Sequence, residues 1–138
     1  MLIDKFTGKY RFLSNFYPAR VTYGGVTYST VEHAYQASKT LDIPERVLIS
    51  AMPTPGNAKR EGRHVTLRPD WENVKLVIME ELLQQKFAIP ELRKALLDTG
   101  NSILIEGNNW GDSFWGTYHG IGANHLGKLL MKIREELK

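Results

Sequence analysis

RVTYGGVTYSTVEHAYQASKT, residues 20–40, runs a hairpin signal directly into a helix signal. Two copies of V-T-Y flank Gly24-Gly25, a pair suited to a two-residue turn with positive φ. In that register Tyr23 pairs with Val26 and Val21 with Tyr28, so these four share one face and Thr22 and Thr27 take the other. The helix that follows opens at Ser29 or Thr30 and runs to about Leu41 or Asp42, because Pro44 turns Ile43 away from helical geometry.

At 100° per residue, Val31, Ala34, Tyr35, Ser38 and Leu41 fall on one arc, the expected core face. Glu32, Gln36 and Lys39 lie together on its flank, and His33 and Thr40 point nearly opposite. Two readings of Glu32 stay open on spacing alone. Ser29-x-x-Glu32 has the form of a capping box, in which Glu32 would accept from the Ser29 amide; the shared flank with Lys39 also suits a reactive pair. Lys39 by itself reads equally as a solvated lysine, and Tyr35 and Gln36 carry no special signal.

Outward from this stretch, 138 residues with 42% hydrophobic and 24% charged side chains fit one globular domain, residues 1–138. The N-terminus MLIDKFTGKY shows no export signal and no long apolar run, which points to a cytoplasmic protein with no membrane association. No cysteine is present, and His33, His64, His119 and His125 lack metal-ligand spacing, so the expected chemistry uses no metal and no cofactor. The net charge of +3 is mild, but Lys59, Arg60, Arg63, His64 and Arg68 cluster within ten positions. Such a cluster is either a solvated basic face or a receiver for a phosphate-bearing ligand.

Further along, Pro44 opens a short helix, and Thr54-Pro55 reads as an N-cap and first helical residue of another that closes at Gly62. Asp70 should cap the longest helix, WENVKLVIMEELLQQKF, with Trp71, Val74, Ile78 and Leu82 toward the core. A helix from Pro90 stops at Gly100, SILIE (102–106) is a short β-rich run, and a last helix from about Asn124 carries Leu126, Leu129, Leu130 and Ile133 as an apolar stripe. The expected class is α+β: mainly helical, with a small hairpin or short sheet. The exception is GNNWGDSFWGTYHGIGA, residues 107–123, with five glycines and four aromatics in seventeen positions. Loops this long within compact domains tend to be functional or disordered, and the aromatics argue against disorder. An ordered ligand-facing loop is therefore expected.

RFLSNFYP (11–18) before the hairpin, VEHAYQASK after it, then GR (62–63), LRPDW (67–71), KF (86–87), LLDTGNSILIE (96–106), DSFWG (112–116) and GANHLGKLLMKIRE (122–135) together resemble the NADAR family, also called YbiA-like proteins. The resemblance covers nearly the whole chain. It departs at Asn101, where the family often has an acidic residue, and at an extra Trp-Gly before DSFWG. It implies a YbiA-like fold and an N-glycosidase that hydrolyses ribose C1–N bonds. Two activities go with the family: removal of ADP-ribose from modified guanine in nucleic acid, and cleavage of phosphorylated ribosylamino-pyrimidine intermediates of riboflavin synthesis. The important family positions match Glu32, Lys39, Asp112 and Trp115, with Arg11 and Asn15 as ligand contacts.

Chemistry beside this resemblance asks for a carboxylate that stabilises an oxocarbenium-like sugar or activates water, and a group that neutralises the leaving base. Glu32 and Asp112 are the expected carboxylates. Lys39 fits either a phosphate-binding cation or an amine that captures the opened ribose as a Schiff base. Trp110, Trp115 and Tyr118 suit base stacking, Phe114 is assigned to the core, Arg11 and Arg63 to phosphate, and Tyr35 and Gln36 to substrate contact. The expected partners are an ADP-ribosyl or ribosyl-phosphate substrate, with modified DNA or RNA as its carrier, and no obligate protein partner. A non-catalytic ADP-ribose-binding module is the alternative from another class.

Overall fold

The computed structural model describes all residues 1–138. In chain order they form β1 (Leu2–Ile3), a 3₁₀ segment (Gly8–Leu13), β2 (Pro18–Tyr23), β3 (Val26–Thr30), α1 (Val31–Ser38), α2 (Ile43–Ser50), α3 (Pro55–Glu61), α4 (Trp71–Lys86), α5 (Pro90–Asp98), β4 (Ile103–Leu104), β5 (Gly107–Asn108), β6 (Thr117–Tyr118) and α6 (His125–Glu136). The fold is α+β and mainly helical, and its strands pair only two at a time. No helix is long and apolar enough to cross a membrane. The chain forms two compact units, Asn15–Lys86 and Met1–Ser14 with Phe87–Lys138.

In the unit Asn15–Lys86, β2 and β3 form the antiparallel hairpin in the expected register, Tyr23 opposite Val26 and Val21 opposite Tyr28. Gly24 and Gly25 both take positive φ, as the tight turn requires. Val21 and Tyr28 are buried while Thr22 and Thr27 face out, so the hairpin lays one face on α1. The α4 end is pinned to the same hairpin: the Thr22 amide donates to Gln85 Oε1 at 2.7 Å, and Gln85 Nε2 donates to the Thr22 carbonyl at 2.8 Å.

α1 departs from the one-sided helix its wheel describes. All eight of its residues are buried, Glu32, His33 and Gln36 included. The hairpin, α2, α3 and α4 all pack on this short helix, which leaves it no solvent side. His33 therefore does not face away from the core: its Nε2 lies 3.0 Å from the Met52 carbonyl and its Nδ1 2.7 Å from Thr30 Oγ1. The N-cap is Thr30, whose Oγ1 accepts from the His33 amide, so the Ser29-to-Glu32 capping box is not the one formed. Thr30 wins because β3 holds Ser29 extended and exposed, placing the first helical residue at Val31. The helix also ends sooner, at Ser38, and Leu41 is exposed rather than part of the core face.

α2 and α3 start as expected, capped by Asp42 and Thr54 with proline in the first turn. Asp70 precedes α4, but its carboxylate is taken by Arg68, Nε to Oδ1 at 2.6 Å and Nη2 to Oδ2 at 3.1 Å. Arg68 also reaches the Tyr23 hydroxyl and the Ser38 carbonyl, and its amide donates to the Lys39 carbonyl at 2.7 Å. It leaves the solvated basic cluster to clamp the C-terminus of α1, where a cation opposes the helix dipole.

In the other unit, β1 pairs with β4 in parallel and α6 packs on β4 with Leu126, Leu130 and Ile133 buried. Within the 107–123 loop, β5 and β6 form a second parallel pair, Gly107 with Thr117 and Asn108 with Tyr118. The loop is ordered by its own backbone. Carbonyls of Ser113, Phe114, Trp115 and Gly116 accept from the amides of Ala123, His125, Leu126 and Asn124, which include the first amide groups of α6.

Candidate active site

The polar stripe expected on α1 is real at its first two members. Gln36 Nε2 donates to Glu32 Oε2 at 2.6 Å, and Glu32 is only 8% exposed. The Glu32 amide donates to the Asn15 carbonyl at 3.1 Å, so the SNFYP motif lies against the start of the helix. Gln36 is held from behind by Gly62, the C-cap of α3; a Cβ there would collide with Gln36 Oε1. Gln36 Oε1 and Asn15 Oδ1 are both buried without a hydrogen-bond partner. Leaving such an acceptor unpaired costs about 1–3 kcal/mol, so two of them, on residues that both hydrogen-bond Glu32, call for an explanation.

Lys39 is the C-cap of α1, two turns from Glu32, with its ammonium 5.7 Å from the Tyr35 ring. Tyr35 in turn packs on Trp71, ring centroids 5.2 Å apart. Burial lowers the Lys39 pKa below the usual lysine range; the Glu32 carboxylate raises it in part, and Arg63, Lys59 and Lys75 lower it further. Cations thus outnumber the carboxylate around an amine that burial already favours as neutral. Arg63 is exposed. Lys75 went unnoticed in the sequence because it sits on α4, apart from the 59–68 cluster, and only folding brings it to Lys39.

Lys86 is a second residue the sequence did not single out, although KF belongs to a family motif. It is fully buried, its ammonium 5.8 Å from the Tyr17 ring, and desolvation lowers its pKa to about 7. A lysine at a helix C-terminus reads as a dipole partner in solvent, and nothing in the local pattern announces its burial.

The remaining candidates belong to the other unit. Arg11 is exposed on the 3₁₀ segment. Asp112 Oδ1 accepts from the amides of Phe114 at 3.0 Å and Trp115 at 2.9 Å, a turn that orients the following aromatics. Phe114 and Trp115 meet edge to face at 4.8 Å, and Phe114 also packs on His125. Trp110 stands 59% exposed and Tyr118 lies on His119 at 4.1 Å.

The model of the NADAR domain family matches residues 4–138. The N-glycosidase Npun_R5314 of Nostoc punctiforme is 42% identical over 136 residues, 94% of this chain and 86% of that protein. N-glycosidase YbiA of Escherichia coli strain K12 is 41% identical over 128 residues, 90% of this chain and 79% of its own. The riboflavin biosynthesis protein VVA0006 of Vibrio vulnificus is 35% identical over 92% of this chain but only 35% of its own length. Among solved structures, the NMR structure of the E. coli protein YbiA has a TM-score of 0.86 and 38% identity, covering 99% of this chain and 83% of that one.

Proposed function

Because the chain belongs to the NADAR domain family, it is a hydrolase of N-glycosyl bonds, and we propose that its substrate is ADP-ribose joined to guanine in nucleic acid. The observation that carries the reading is the α1 constellation: a buried carboxylate fixed by Gln36, with an amine of lowered pKa two turns away. Breaking the ribose C1–N bond builds positive charge on the sugar ring and negative charge on the departing nitrogen. Glu32 is assigned to the sugar side, stabilising that charge or activating water. Lys39 is assigned to the opened ribose: its neutral amine adds to the C1 aldehyde, loses water to form an imine, and water later returns the aldehyde and the amine. The lowered pKa supports this role over that of a simple phosphate cation, because it enlarges the neutral, nucleophilic fraction at neutral pH.

Lys59, Arg63 and Lys75, whose field reaches Lys39, suit the phosphates of an ADP-ribosyl group. Asn15 and Gln36 each carry an unpaired buried acceptor, which supports contact with ribose hydroxyl donors once the site rearranges around substrate. Tyr35 supplies an aromatic face beside Lys39. Asp112 already spends Oδ1 on two amides, so its proposed task is to hold Trp115, and the acid–base work is left to Glu32. A cytoplasmic location and the absence of an added cofactor complete the reading.

The relatives named for riboflavin biosynthesis favour a second substrate, a phosphorylated ribosylamino-pyrimidine. The two are separated by incubating the protein with ADP-ribosylated-guanine DNA and with the ribosylamino-pyrimidine phosphate in parallel. Release of ADP-ribose from the DNA at the faster rate is expected; faster release of the pyrimidine base would transfer the assignment.

A further inference from the structure

The unit Met1–Ser14 with Phe87–Lys138 contains a cleft of about 570 Å³ that the α1 chemistry does not use. That volume is within the range of small-molecule sites, roughly 300–1,000 Å³. Its walls include Asp4, Lys5, Glu106, Asn108, Trp110 and His119. The parallel register explains why the last two meet there. Asn108 pairs with Tyr118, so Trp110, two residues beyond one strand, and His119, one residue beyond the other, leave the same end of the β5–β6 pair.

Both side chains are presented in ways that packing alone does not require. Trp110 is 59% exposed, although a large aromatic ring in water forfeits its burial energy. His119 has φ +53 in a tight turn whose Tyr118 and Ile121 backbones bond to each other, with Gly120 also at positive φ. Glycine fits such a position best, and a histidine there costs about 1 kcal/mol. Tyr118 packs against the His119 ring in a tilted contact, centroids 4.1 Å apart and planes at 57°, and limits its movement. The hydrogen-bonding walls are rich in acceptors. Asp4 is exposed, and Glu106 Oε2 is oriented by a 3.0 Å bond from Asn108 Nδ2. Two carboxylates disfavour a phosphate and favour a planar group that brings N–H donors.

We propose that this cleft is a nucleobase subsite in which Trp110 and His119 stack on a guanine-type base and the carboxylates of Asp4 and Glu106 read its adjacent N–H and amino donors. Only the choice of a nucleobase as ligand rests on the proposed activity; the cleft and its clamp do not.

The test is equilibrium binding of guanosine 5′-monophosphate to the full chain, read by tryptophan fluorescence, against inosine 5′-monophosphate, which lacks only the exocyclic amine. Quenching by the guanosine nucleotide is expected, with inosine binding at least about fivefold weaker because a site built for that donor leaves its acceptor unpaired. Trp110→Ala should abolish the quench, and His119→Gly, which relieves the turn and keeps the fold, should weaken binding about tenfold. Equal affinity for the two nucleotides, or an unchanged quench in Trp110→Ala, would overturn the subsite. Since the readout needs no turnover, a protein that binds through Trp110 yet hydrolyses no glycosyl substrate sustains the subsite and contradicts only the activity reading.

Discussion

Lys86 ends α4 with its whole side chain out of solvent against Tyr17, and Lys39 caps α1 with partial burial; both lysines are pushed toward the neutral form chiefly by desolvation. Their consequences differ. At Lys39 the shift is moderated by Glu32, so charge at residue 32 and nucleophilicity at residue 39 are linked. At Lys86 the shift becomes a stability effect. Its folded pKa is about 7, whereas a lysine in an unfolded chain titrates near about 10.4. Below the lower value both states hold the proton, and above the higher neither does. Between them the unfolded chain binds the extra proton, so stability rises as pH rises. Urea midpoints measured from pH 7 to 10 should therefore climb more steeply in the native protein than in Lys86→Met. Parallel curves would show that Lys86 is protonated in the fold throughout.

At the scale of elements, α1 is a helix with no outside. The hairpin before it was legible because Gly24-Gly25 and the alternating V-T-Y copies state both turn and register locally. The boundaries and burial of α1 were not, because a wheel assumes one buried face, and the neighbours that cover the others come from α2, α3 and α4. The same reasoning explains why Glu32 and Gln36 were correctly placed side by side while His33 and Leu41 were misplaced. Spacing along one helix is local information; exposure is not. One contact between elements is open to a direct check. Gly62 has helical φ, so Gly62→Ala strains no backbone and even favours the helix end slightly, but the new methyl must displace Gln36 from its contact with Glu32. The expected result is a thermal midpoint within a few degrees of native and hydrolysis down at least about tenfold. Full activity in this variant would mean that the Gln36 bond does not position Glu32.

At the scale of the whole molecule, one family model spans residues 4–138, and the sequence carried its signature as ordered motifs rather than as any single element. The helices announced by proline, glycine and capping residues were found where expected, as was the apolar stripe of α6. SILIE supplies β4 as expected, whereas the 3₁₀ segment, β1, β5 and β6 were not legible, since pieces so short exist only through their partners. For the same reason Lys75 and Lys86 were missing from the candidate residues. The central claim is that Glu32 and Lys39 carry out N-glycosyl hydrolysis, with Lys39 becoming covalently attached to the opened ribose. The most direct measurement is mass spectrometry of the protein after borohydride is added during turnover of ADP-ribosylated-guanine DNA. The account predicts a reduced ADP-ribosyl adduct on Lys39 in the native protein and little adduct, with little ADP-ribose released, in Glu32→Gln. Undiminished ADP-ribose release by Lys39→Arg, with no adduct on the native protein, would contradict it.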